Sequence, residues 1–97
     1  MKDLLTIEKS YKSSENKTES IIDLIDFLSE NKNIKFCVER PNWIAYDQNL
    51  IWEDRDKKMF KSSSDESNIY DIDDIDHINF SLKRIFIKEI KGDVIHA

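Results

Sequence analysis

The stretch from Asp71 to Ile90 reads DIDDIDHINFSLKRIFIKEI, and it admits two foldings. Ile72, Ile75 and Ile78 follow Ile69 at intervals of three, with acids between them. That spacing sets the isoleucines on the inner side of a short helical turn near residues 71–78 and turns the carboxylates toward water. Farther on, Ile85 and Ile87 alternate with Phe86 and Lys88, the period of a strand with one buried face, which gives a last strand over about 84–90. A continuous helix over 71–90 also satisfies the apolar spacing through Leu82 and Phe86, because short apolar runs discriminate poorly between helix and strand. The turn followed by a strand is the more natural of the two.

Upstream, NKTESIIDLIDFLSENKN (16–33) is the clearest element. Ile21, Ile22, Leu24, Ile25 and Leu28 share about half of a helical wheel, with Asp23, Asp26 and Glu30 opposite, as a half-buried helix over about 18–31 requires. Asn16 with Glu19, or Thr18 alone, can cap its start. Before it, Leu4, Ile7 and Tyr11 have helical spacing behind a possible Asp3 cap while Leu5, Ile7 and Lys9 also fit alternation, and the segment is read as a short N-terminal helix. After it the period changes to two. Ile34, Phe36 and Val38 alternate with Lys35, Cys37 and Glu39 up to Pro41. WIAYD (43–47) and LIWED (50–54) flank Gln48 and Asn49 in the manner of a hairpin, and KMFK (58–61) can return as a further strand. These patterns predict an α+β chain: one amphipathic helix on a small antiparallel sheet built from about 34–61 and 84–90, as a single domain over residues 1–97.

The formal charge of −5 is unevenly spread. Residues 62–82 hold six carboxylates, Asp65, Glu66, Asp71, Asp73, Asp74 and Asp76, with no lysine or arginine. Such a block repels nucleic acid, since phosphate binding needs clustered basic residues, so direct DNA or RNA binding is not expected. A protein with spaced carboxylates can instead occupy a basic groove that normally holds nucleic acid, through the same long-range attraction.

Several chemistries fail on residue type or spacing. An EF-hand started at Asp71 meets Ile75 at an oxygen-ligand position and Asp76 where glycine must turn the chain, and no metal site is assigned. One cysteine and two histidines fall short of a tetrahedral zinc site, and one glycine cannot build a phosphate-cradling loop. Cys37 has no identifiable base, and His77 beside Asp76 reads as a surface hydrogen-bonding group, so no catalytic residue and no cofactor is assigned. Glu89 with Lys91 behind Asp76, or Asp56 with Lys58 behind Asp47, resembles the minimal spacing of PD-(D/E)xK metal-dependent nucleases, a pattern loose enough to recur in most charged β proteins. A single cysteine and the lack of a long apolar run point to a reducing, cytoplasmic setting with no membrane span. Fifteen isoleucines and twelve lysines against two alanines are the bias of AT-rich coding DNA, as in low-GC bacteria and their phages.

By elimination the chain is expected to be a binder and not an enzyme. The expected function is a small acidic protein-binding inhibitor of a phage or bacterial conflict system, of the anti-CRISPR, anti-defence or toxin-immunity kind, seated on a basic nucleic-acid-binding surface of its partner. The partner-binding residues would be the six carboxylates, with Trp43 and Trp52 as candidate aromatic anchors. The alternative is a structural or regulatory subunit whose acidic loop keeps it soluble; a divalent-metal nuclease is the weaker third.

Overall fold

The computed structural model describes residues 2–88. Two helices come first, α1 (Leu4–Ser13) and α2 (Thr18–Glu30). Asp3 caps α1 by accepting the Thr6 N–H at 2.9 Å, and Asn16 accepts the Thr18 N–H at 3.0 Å where α2 begins. Ile7 and Tyr11 of α1, and Ile21, Leu24, Ile25 and Leu28 of α2, are buried, as the 3.6-residue period requires.

Seven strands follow: β1 (Phe36–Arg40), β2 (Trp43–Gln48), β3 (Leu50–Asp54), β4 (Met59–Ser62), β5 (Ile69–Asp71), β6 (Ile75–Asn79) and β7 (Arg84–Ile87). They form two sheets, one of four strands in the order β2-β1-β7-β6 and one of three in the order β3-β4-β5. The α+β class holds, with α2 lying against β3 and α1 against α2. The sheet plan differs from a single antiparallel meander in two ways. First, β1 and β7 pair in parallel, Val38 opposite Ile85, so the larger sheet is mixed. Second, β2 and β3 do not form a hairpin. β2 returns onto β1 through the two-residue turn Pro41–Asn42, and β3 pairs with β4 through the turn after Asp54.

The physical reason lies at residues 47–49, where the chain leaves one sheet for the other. Asp47 takes a left-handed φ of 54°, and the Asn49 carbonyl accepts the Ser63 N–H at 2.8 Å, which starts the β3–β4 ladder where a hairpin turn was expected. Asn without glycine holds a two-residue hairpin weakly, and here it is the exit from a strand. The other described left-handed residues are Lys58 and Lys83, both in strand-linking turns. The chain's one glycine, Gly92, lies outside the described residues, so side-chain-bearing residues carry the steric cost of these turns.

The 71–90 stretch resolves as a turn and two strands, and the continuous-helix alternative does not form. The helical turn is shorter than 71–78: a 3-10 turn spans Ile72–Asp74, and β6 follows at once. Isoleucines three apart can both face inward along β6 because the register slips between Ile75 and His77, a bulge that adds one residue between them. Ile72, Ile75 and Ile78 are all buried and join Phe36, Val38 and Ile85 in one continuous core. Of the last strand, Ile85 and Ile87 face in as expected; residues 89 and 90 lie outside the described part.

Candidate protein-binding surface

The acidic turn is organised from within. Asp71 Oδ1 accepts the Asp73 N–H at 2.8 Å and so caps the 3-10 turn, while the buried isoleucines on either side leave the carboxylates no direction but outward. Asp73 and Asp76 are exposed, Asp71 and Asp74 half-buried. Among the described residues none of the four forms an ion pair with a lysine or arginine. Asp76 contacts the imidazole of His77 (Oδ2 to Nδ1, 2.7 Å), and that ring lies flat on Phe86, centroids 4.2 Å apart.

The same end of the larger sheet carries more than acid. The C-terminal ends of β1 and β7 lie beside the N-terminal ends of β2 and β6, so Trp43, Arg40, Ile87 and Ile75 border one rim. Three inter-strand spacings make that rim about 14 Å wide. A cleft of about 320 Å³ opens between Glu39 and Arg40 of β1, Asp76 and His77 of β6, and Phe86 and Lys88 at the end of β7. Arg40 reaches from it to two aromatic faces, 5.7 Å from the Trp43 ring and 5.3 Å from the Tyr70 ring. Burial pushes the Tyr70 phenol above its ordinary value, with the Arg40 charge pulling the other way.

The remaining predicted site residues lie elsewhere. Asp65 is turned into its own loop, accepting the Ser67 N–H (2.9 Å), the Ser67 hydroxyl (2.8 Å) and the Asn68 amide (2.8 Å). Those bonds to the charged form, led by the Asn68 amide, hold its carboxyl at about 2. Glu66 pairs with Lys61 at 2.7 Å, and Lys61 also meets Glu53 at 3.3 Å. Trp52 sits half-buried against α2, its indole N–H donating to Asp26 at 2.7 Å, while the Arg55 guanidinium grips the same carboxylate at 2.8 and 2.9 Å. The Arg55 bonds, joined by that of Trp52, hold the Asp26 carboxyl below the usual range. Trp43 and Trp52 are therefore not cross-strand neighbours; they stand on different sheets. Trp43, 37% exposed, is the one that remains an available anchor.

Sequence reasoning misses Arg40 and Phe86, and weighs Tyr46 with the two tryptophans as an anchor if exposed. Tyr46 is 59% exposed on the edge strand β2. Arg40 had a local signal, a cation separated from Trp43 by the two residues Pro41–Asn42, but its second ring, Tyr70, is thirty residues away.

Among the described residues no group of three histidine, cysteine or acidic side chains is placed to hold a metal ion. Of the nuclease-like spacings, Glu89 and Lys91 lie outside the described residues, and Asp47 and Asp56 fall at the end of β2 and in the β3–β4 turn. Among the described residues no helix is long and apolar enough to cross a membrane. No protein-family model, curated protein or solved structure matches the chain. The functional reading therefore rests on the geometry of this rim.

Proposed function

We propose that the protein is a small acidic inhibitor that binds a protein partner through the rim formed by Asp71, Asp73, Asp74, Asp76 and Trp43, covering a basic surface that the partner uses for nucleic acid. One observation carries the reading. Asp71, Asp73, Asp74 and Asp76 fall within six residues at one end of the larger sheet, in and beside the 3-10 turn, and among the described residues none of them pairs with a lysine or arginine, whereas Asp23, Asp26 and Glu39 each meet one and Glu53 and Glu66 share Lys61. Fixed, unneutralised charges give up little entropy on binding and attract a basic surface at long range. Trp43, at the far side of the rim, adds the apolar contact that charge pairs on a wet surface do not provide. A role in a phage or bacterial conflict system accords with the chain's small size, acidic balance and AT-rich coding bias.

The test is affinity capture from a lysate of the encoding organism, with wild type beside a variant carrying Asp71→Asn, Asp73→Asn, Asp74→Asn and Asp76→Asn. Asn at 71 still accepts the Asp73 N–H, so charge is removed while the turn keeps its cap. The expected result is a nucleic-acid-binding protein that wild type retains, that duplex DNA or added salt displaces, and that the variant fails to hold. Retention of the same partner by both forms, indifferent to salt, overturns the reading.

A further inference from the structure

We propose that Arg40, assisted by Lys88, forms a small oxyanion site in the cleft between the ends of β1, β6 and β7, taking a carboxylate or phosphate group. The proposal concerns a cation and is independent of the acidic-rim reading above. The chain has three arginines. Arg55 is clamped to Asp26 and Arg84 to Glu39, but Arg40 has no carboxylate within ion-pair distance among the described residues, although the chain holds more acids than bases.

Arg40 is nonetheless held in place. Its guanidinium carbon sits 5.7 Å from the Trp43 ring and 5.3 Å from the Tyr70 ring, and its Nε is buried without a hydrogen-bond partner. The ion-paired Arg84 has a buried Nε of the same kind, so what sets Arg40 apart is the missing carboxylate, and an oriented charge without one is an arrangement that an anion relieves. Stacking on aromatic faces leaves the planar edge of a guanidinium open, and that edge matches the two oxygens of a carboxylate or phosphate. The acids that share the cleft do not answer this need. Glu39 is bonded to Arg84 at 3.0 Å and Asp76 to His77 at 2.7 Å, which leaves Arg40 and Lys88 as the cations there without an acidic partner among the described residues. The neighbouring acidic turn weakens binding of any free anion, so millimolar affinity is expected.

The experiment is a titration of the full chain by ¹H–¹⁵N NMR with sodium phosphate, sodium acetate and, at matched ionic strength, sodium chloride. The Arg40 Nε–H and Trp43 indole N–H resonances are followed, with the Trp52 indole as an internal control. The expected result is a saturable shift of the first two, absent with chloride, while Trp52 stays still. Saturation by phosphate alone assigns a phosphate site, and saturation by acetate assigns a carboxylate site. Arg40→Gln abolishes the shift, and Arg40→Lys, which keeps the charge without the planar fork, weakens it about tenfold. If Arg40→Gln fails to fold, as the Trp52 resonance reports, Lys88→Gln is expected to weaken the wild-type titration severalfold. The proposal is overturned if neither anion saturates, if the shift survives in Arg40→Gln, or if Arg40→Lys and Lys88→Gln both titrate as wild type does.

Discussion

Trp43 and Trp52 stand nine residues apart in one β-rich stretch, and the fold uses them in opposite ways. Trp52 belongs to β3, where its ring packs beside the core, its indole N–H is bonded to Asp26 and its main-chain N–H donates to the Ser29 hydroxyl at 3.1 Å. Trp43 belongs to β2, an edge of the other sheet, where it meets water and the Arg40 guanidinium. The same side chain is a brace in one place and an exposed face in the other, and what decides is the sheet its strand joins. That choice is made at residues 47–49, where the chain crosses over.

Substitution of each tryptophan gives the widest separation between the two. Trp52→Ala is expected to cost about 2–3 kcal/mol in urea unfolding, less than a fully buried aromatic would, whereas Trp43→Ala should stay within about 1 kcal/mol and lose partner binding. Equal losses of stability would erase the distinction. Next comes the carboxylate that holds Trp52: Asp26→Ala removes three hydrogen bonds and should cost about 1–2 kcal/mol at neutral pH. Because the folded Asp26 carboxyl titrates below its ordinary value of 3.8, its contribution is complete above about pH 5 and fades as pH falls through the lowered value. Wild type and Asp26→Ala should therefore converge in stability as the solution is acidified; a constant gap would sink the assignment. Ser29→Ala is smaller, about 1 kcal/mol, since it removes one acceptor from the Trp52 N–H, and hydrogen exchange at that amide should speed up. Smallest is the fourfold Asp→Asn change at 71, 73, 74 and 76, expected to leave the melting temperature within about 2 °C while abolishing capture of the partner. A large destabilisation there would mean that the turn supports the fold, and the contrast between brace and exposed face would need redrawing.

The sequence made some of this plain and hid the rest for identifiable reasons. Ile21 to Leu28 fixes α2 because helix period is a local property, and Phe36 with Val38, or Ile85 with Ile87, marks a strand in the same way. Partner choice is not local. Nothing near Val38 reveals that its neighbour is Ile85, and the Gln48–Asn49 pair resembles a hairpin turn until Ser63 claims the Asn49 carbonyl. The isoleucine repeat of 72, 75 and 78 suggested a longer helical turn because a bulged strand can imitate a period of three. Of the candidate site, the acidic turn was legible from charge alone, while the internal uses of Asp65, Glu66 and Trp52 and the placement of Arg40 depend on contacts that composition does not encode.

The two helices also close part of the sheet borders. The Ile78 N–H on the outer side of β6 donates to the Tyr11 hydroxyl at 3.0 Å, just as the Trp52 N–H of β3 donates to Ser29. Each helix thus plugs one strand border with a hydroxyl, and β5, at three residues, is too short to template another chain. Among the described residues no hydroxyl performs that service for β2, the remaining border of the larger sheet. Of the described strand borders, β2 is therefore the one left for another strand to meet.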